Sequence, residues 1–281
     1  LDDIKFVHPK DMQDGKIEIT SRDITTNLPY VDGAHLVFDH HLSETVRVGK
    51  KDNHIIDATA PSAARVVYRH YGGKDRFPRV SDEMMIAVDQ ADSAQYSKDD
   101  ILAPEGWTLL NVLLDARTGL GGCRDCRVWR AQVLMHLIDY CRQHSIGEIL
   151  ALPDVKERVD LFNDHRQRFI DQLHRCSRVM GNVVVLDLRN EDTIWAGNRF
   201  MIYALHPQCN VSIHVLWGLK QQNTVLACGK SIINRSSNTN IGALMLEYDG
   251  GGHHAAGTCQ VPNDQAETAL AAIVARMQAD G

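Results

Sequence analysis

Hydrophobic positions in the first half of the chain fall into short β-rich runs separated by amphipathic stretches. "KIEITSRD" (16–23) and "AHLVFDHH" (34–41) read as strands that end in polar clusters. "PSAARVVYRHYGG" opens on Pro61 and stops at glycine, as a helix does. "SDEMMIAVDQADSAQY" is a second helix started by Ser81, and "CRVWRAQVLMHLIDYCRQHSIG" carries apolar residues at helical spacing. Strands alternating with helices predict an α/β fold with a parallel sheet. From Asp154 to Met180 the pattern is one long, charged amphipathic helix ended by Gly181, a connector. A smaller unit then begins. "NVVVLDLR" is a strand, "NRFMIYALHPQ" a helix, "VSIHVLWGL" and "NTVLACGKSI" paired strands, and "TNIGALMLEY" a helix that runs into three glycines. The expected division is therefore 1–150, a connector over 151–180, and 181–281.

Composition narrows what such a protein does. The net charge of -6 opposes a broad electrostatic grip on duplex DNA, so a nucleic-acid ligand is expected to be short and single-stranded. No apolar run approaches a membrane span and no signal peptide is visible, which gives the expectation of a cytoplasmic protein. Seven scattered cysteines read as free thiols; "CRDC" (123–126) has zinc-ligand spacing but no second pair, and is read as surface or core thiols. The loop "RTGLGGC" could touch phosphate or simply precede a helix, and Trp107, Trp195 and Trp217 are read as packing residues. The chain opens on "LDDIKFVHPKDM" without methionine, so its natural start is expected upstream.

Two stretches carry candidate chemistry. Asp39-His40-His41 ends a strand, and the carboxyl edge of a parallel sheet is where open α/β folds bind ligands. These side chains suit a Mn²⁺-type Lewis acid, or a metal ligand beside a phosphate donor, or a helix cap with exposed histidines. Asp23 at the end of the neighbouring run, and Asp89 or Asp92 in the second helix, are further carboxylates. In "YDGGGHHAAGTC", Gly250, Gly251 and Gly252 precede His253 and His254. Glycines there fit either backbone approach to an anion or a tight turn.

"FDHH" followed about 210 residues later by "GGGHHAAG" resembles the DHH phosphoesterase superfamily, in the group with a DHHA1-type C-terminal domain. That group includes nanoRNase and pAp-phosphatase proteins, cyclic-dinucleotide phosphodiesterases and exopolyphosphatase-related proteins. The resemblance implies a parallel-sheet DHH domain, a connecting helix and a smaller α/β DHHA1-type domain. It implies two Mn²⁺ or Mg²⁺ ions, Asp23 as bridging ligand, and His40 and Asp92 as metal ligands, Asp92 with Tyr96 matching better than Asp89. Asp39 and His41 become catalytic, His41 by contacting phosphate. Arg235 and the loop Gly250, Gly251, Gly252, His253, His254 become substrate-binding. Two-metal hydrolysis of a small phosphate-rich substrate is then expected, whether short oligonucleotide, pAp-like nucleotide, cyclic dinucleotide or polyphosphate, with room for a homodimer. The family's first motif, an aspartate-rich turn, is not recognisable; His8, Asp11 and Asp14 are not assigned to it. The chain as given is accordingly expected to hold at most one divalent ion, at His40, Asp92 and Asp23, and to be nearly inactive. The alternative is a non-hydrolytic phosphate-binding module.

Overall fold

In the computed structural model, which describes residues 3–120, 126, 128 and 130–281, the chain divides into two units. The first comprises Leu1–Gln95 and Ala131–Ile149, the second Tyr96–Arg130 and Leu150–Gly281.

The first unit is built on three parallel strands in the order β1 (Ile24–Thr26), β2 (Leu36–Asp39), β3 (His54–Ile56). As the central strand, β2 has neighbours on both sides, and Val37, Phe38 and Asp39 are almost fully buried. Its two faces are distinct. Val37 packs with Tyr30 and Ala34, and Phe38 with Ala60 and Val66 beneath the helix Ala63–His70. That helix starts at Ser62, whose Oγ accepts from Arg65 N and donates to Asp89 Oδ1 at 2.7 Å. Arg65 Nε holds the other Asp89 oxygen at 2.9 Å, so Asp89 locks this helix to the helix Asp82–Ser93.

The expected strand 16–23 is corrected to a turn followed by β1. Asp23 Oδ2 accepts from Thr20 N (2.7 Å) and Thr20 Oγ1 (2.8 Å), and its backbone N–H donates to Thr20 O. Such local side-chain bonds compete with a strand ladder. Asp23 thus precedes β1 instead of ending a strand.

The second unit carries a six-stranded sheet in the order β4 (Ser177–Met180), β5 (Val183–Asp187), β6 (Val211–Trp217), β7 (Thr224–Lys230), β9 (Ala256–Val261), β8 (Gly251–His253). β5 and β6 are parallel and every other pair is antiparallel. Val183, Val185, Ile213, Val215 and Leu226 form its core with Leu270, Ile273 and Met277 of the helix Ala266–Asp280. The long helix runs Pro153–Cys176 and passes directly into β4. Gly181, expected to end the helix, instead turns β4 into β5 at φ +61°, where glycine carries no Cβ penalty.

Tyr96–Arg130 was expected in the first domain and packs with the second. Asp115 Oδ2 accepts from Arg199 Nε at 2.7 Å, Asn198 Nδ2 reaches Ile101 O, and Gly197 N donates to Thr118 O. The cysteine reading also needs amendment. Cys141, Cys176, Cys209, Cys228 and Cys259 are free, but Cys126 is disulfide-bonded; Cys123 and residues 121–122 of the glycine-rich loop lie outside the described residues. Among the described residues no helix is long and apolar enough to cross a membrane.

Burial would raise the Asp115 pKa, yet hydrogen bonds from Arg117 and Arg199 outweigh it and bring it from 3.8 down to about 2. A carboxyl depressed on folding contributes stability above its unfolded pKa and loses it as pH falls through the folded value. Asp115→Asn should therefore lower unfolding free energy at neutral pH by about 2 kcal/mol. The difference from the parent should shrink between roughly pH 4 and pH 2, as chemical denaturation at a series of pH values will read.

Candidate active site

The carboxyl edge of the first unit's sheet brings together side chains from three segments, with a backbone carbonyl from a fourth. β2 ends in Asp39, the backbone continues through His40, and His41 caps the helix Leu42–Val48. Asp39 is fully buried; its Oδ1 accepts from His41 Nδ1 at 2.7 Å and its Oδ2 has no hydrogen-bond partner. The hydrogen bond that His41 donates to Asp39 raises the His41 pKa, against partial desolvation, and favours the charged form of the ring.

His40 points the other way. Its Nδ1 lies 3.1 Å from Ala60 O, and a carbonyl only accepts, so Nδ1 carries the proton. In the neutral tautomer Nε2 then offers a lone pair. It is buried, lacks a hydrogen bond, and stands 3.2 Å from Asp92 Oδ2. Two acceptors converging at that distance require a proton or a cation between them. The donor set, one imidazole nitrogen oriented by a backbone carbonyl and one carboxylate, fits a divalent ion. Among the described residues no three Asp, Glu, His or Cys side chains converge closely enough to complete a metal site.

A residue missed in the sequence supplies a further donor. Asn27, at φ +57°, follows β1 at the edge where Asp23 was expected, and its Nδ2 lies 3.4 Å from Asp92 Oδ1. The signal was available: "ITT" is a β-branched run, and Asn tolerates the left-handed backbone that ends it. Asp23 lies at the opposite edge, since its carbonyl accepts from His35 N just before β2. The four residues of β2 separate the two edges by roughly 13 Å. The structure therefore does not bring Asp23 to His40. Nor does Asp89 reach it, being taken by Ser62 and Arg65. His8 and Asp14 form capping bonds and ion pairs around the helix Pro9–Gln13, and Asp11 pairs with Lys16.

In the second unit, Gly250–His253 leads into and forms β8, paired with β9 and covered by the helix Ile241–Leu246. The expected reason for the glycines, approach to an anion, fits only one of them. A Cβ on Gly250 would collide with Thr258 O and lie 2.7 Å from Cys259 Cβ, and one on Gly252 would collide with Ala256 O and Gly257 Cα. Gly242 of the covering helix has the same constraint, with Gly252 O at 2.9 Å from its Cβ position. Only Gly251 faces open space, with nothing within 4 Å. His253 and His254 are both exposed; His253 Nδ1 accepts from Ala255 N, while Lys230 Nζ lies 3.4 Å from a ring nitrogen of His254. Arg235, expected at a strand end, sits exposed in the loop after β7, its Nε donating to Ile232 O at 3.0 Å.

Gly250→Ala and Gly252→Ala should each lower stability by about 1–3 kcal/mol, the usual penalty of overpacking. Gly251→Ala should melt within a few degrees of the parent. Equal loss in all three variants would place the constraint elsewhere than in these backbone contacts.

Comparison with known proteins found no matching family model and no matching curated protein. Solved structures do match. A pGpG-specific phosphodiesterase, PggH from Vibrio cholerae, is 58% identical, covers 100% of this chain and 92% of its own, and superposes with a TM-score of 0.90. A DHH domain described as belonging to a family of ribosomal proteins shares the fold at 13% identity, covering 86% of this chain and 63% of its own with a TM-score of 0.51. An exopolyphosphatase-related protein from Bacteroides fragilis, 13% identical, covers 87% of this chain and 64% of its own at a TM-score of 0.46. With the Asp-His-His strand end and the glycine–histidine hairpin in place, the chain belongs to the DHH phosphoesterase superfamily, in the group with a DHHA1-type C-terminal domain, and is a phosphoesterase.

Proposed function

We propose that the chain hydrolyses the internal phosphodiester of a short 5′-phosphorylated dinucleotide, pGpG being the one named for its V. cholerae relative. The observation that carries this reading is the pairing of His40 Nε2 with Asp92 at 3.2 Å beside the hydrogen bond from exposed His41 to buried Asp39. A net charge of -6 fits a small anionic substrate held by a few local cations instead of a broad basic face.

His40, Asp92 and Asn27 would hold Mn²⁺ or Mg²⁺, and His40 keeps a single orientation because Ala60 O holds its Nδ1–H. When bound, such an ion polarises the attacked phosphoryl group and supplies hydroxide from bound water near neutral pH. His41 donates its Nδ1–H to Asp39, which leaves its Nε2–H for a phosphoryl oxygen. There it offsets the negative charge that develops during attack, the role of a preorganised donor. Asp39 needs no substrate contact for this; its buried charge favours the imidazolium. In the second unit, Arg235, Gly251, His253 and His254 would bind a phosphate-bearing ligand, with Arg235 suited to a phosphate through its planar fork. Gly250 and Gly252 would act only by keeping the hairpin closely packed.

His40→Ala should reduce Mn²⁺-dependent hydrolysis of pGpG by on the order of a hundredfold or more, because several kcal/mol of charge stabilisation goes with the ion. Calorimetry should show weaker Mn²⁺ binding, with the melting temperature little changed. Asp23→Asn, at the far edge of the sheet, should retain turnover within about threefold. Undiminished hydrolysis by His40→Ala would refute the reading.

A further inference from the structure

His54 opens β3 and is almost completely buried, yet neither ring nitrogen has a hydrogen-bond partner. A buried donor or acceptor left unpaired forfeits its solvation without return, and nearly all such groups in native proteins are paired. A leucine or phenylalanine would fill the site without that cost, and the ring already packs against Tyr30 at 5.1 Å between centroids.

The strand register shows what the imidazole is near. Thr25, Val37 and His54 form one cross-strand row, so their side chains share a face of the sheet. Asp39, two residues after Val37, projects from the same face. Diagonal neighbours of this kind lie roughly 7 Å apart at Cβ, within reach of an imidazole and a carboxylate. On that face Glu44 is fully engaged, by Tyr30 N and by Arg47. The unpaired buried atoms there are Asp39 Oδ2, both nitrogens of His54 and Thr25 Oγ1. The charges of Asp39 and Glu44 both act on His54, while burial, the largest influence, keeps its pKa low and its ring neutral. A neutral imidazole always carries one N–H, and a carboxylate oxygen only accepts.

We propose that His54 is the positioning residue for the Asp39–His41 pair: its N–H supplies the second hydrogen bond of Asp39, at Oδ2, directly or through one water. Held at both oxygens, Asp39 keeps its plane fixed and Oδ1 aimed at His41 Nδ1. His54 itself touches no substrate. Thr25, on the other side of β2, is the competing donor.

This inference rests on the phosphodiesterase reading for its kinetic test, but has a second measurement that does not. His54→Phe keeps the ring packing and removes the donor. It should lower kcat for pGpG by on the order of ten- to a hundredfold, the range for residues that orient a functional side chain. KM should stay within about twofold and the melting temperature should not fall. His54→Gln, which restores a donor, should recover most of kcat, and Thr25→Val should leave kcat near the parent value. In the Asp39→Asn background, His54→Phe should cause no further loss. Parent-like kcat in His54→Phe overturns the proposal, as does a Thr25→Val enzyme that shows the loss instead. If His54→Phe fails to fold, or the parent does not hydrolyse pGpG, ¹⁵N-histidine spectra of the parent and of Asp39→Asn decide. The His54 ring resonances must move when Asp39 is replaced, and resonances that stay in place overturn the proposal.

Discussion

A carboxylate with no solvent exposure ends the central strand of the first unit, and the architecture around it is arranged to make that tolerable. Isolated, such a charge would not stay ionised in an apolar interior. Asp39 is kept by the hydrogen bond from His41 and by its place at a strand end, where the chain turns directly into a helix. Strand order follows from the same need. With β2 central, both faces of Val37–Phe38 are covered, and the chain beyond Asp39 emerges at one edge. There His40 and His41 diverge. One is oriented by Ala60 O toward Asp92, the other by Asp39. Two adjacent histidines face different ways because their Nδ1 atoms donate to different partners, a neutral carbonyl and a carboxylate.

Asp92 depends on a separate constraint. It lies one helical turn after Asp89, so both project from one side of the helix Asp82–Ser93. Asp89 is spent on Ser62 and Arg65, fixing that helix against the one that follows β3. The carboxylate that makes a structural clamp thereby delivers the carboxylate that faces His40. In the second unit backbone packing plays the comparable part. Gly242, Gly250, Gly252 and Gly257 let a helix and a hairpin approach at distances no Cβ permits, and this proximity presents Gly251 and His253 on the strand and His254 in the turn that follows.

Much of this was legible in the chain. The β-rich run ending in Asp-His-His, the helix opened by Pro61, the paired strands over 211–230 and the helix that runs into the three glycines follow from periodicity and from residues with strong local preferences; that those glycines lead into and form a hairpin strand did not. What escaped has identifiable physics. The alternation Ile17, Ile19 suggested a strand that reached Asp23, but Thr20 and Asp23 satisfy each other locally and break it, moving the strand three residues on and the edge residue to Asn27. Gly181 looked like a helix stop because helices commonly end on glycine; the preceding β-branched Val179 and the strand beyond favoured a hairpin. The placement of 96–130 could not be read locally at all. It rests on contacts between residues about 80 to 100 apart in sequence, such as Asp115 with Arg199 and Ile101 with Asn198.

The exchange of an expected aspartate for Asn27 changes the electrostatics of the edge. A carboxylate at that position would stand against Asp92, two like charges at hydrogen-bonding distance, and one would be driven toward protonation. The amide instead donates to Asp92 Oδ1 and leaves Oδ2 turned to His40. It thus selects which Asp92 oxygen is available without adding a charge. The carboxylates of this edge are accordingly Asp92, facing His40, and Asp39, paired with His41 a short way behind it. An edge with so few net negative charges repels an incoming phosphate less than a carboxylate-rich one would. The same economy weakens its hold on a divalent ion. On the proposed reading, substrate phosphate would add an oxygen ligand and make up part of that deficit, and metal and substrate affinities at this edge would rise together, a reciprocity that any shared ligand imposes.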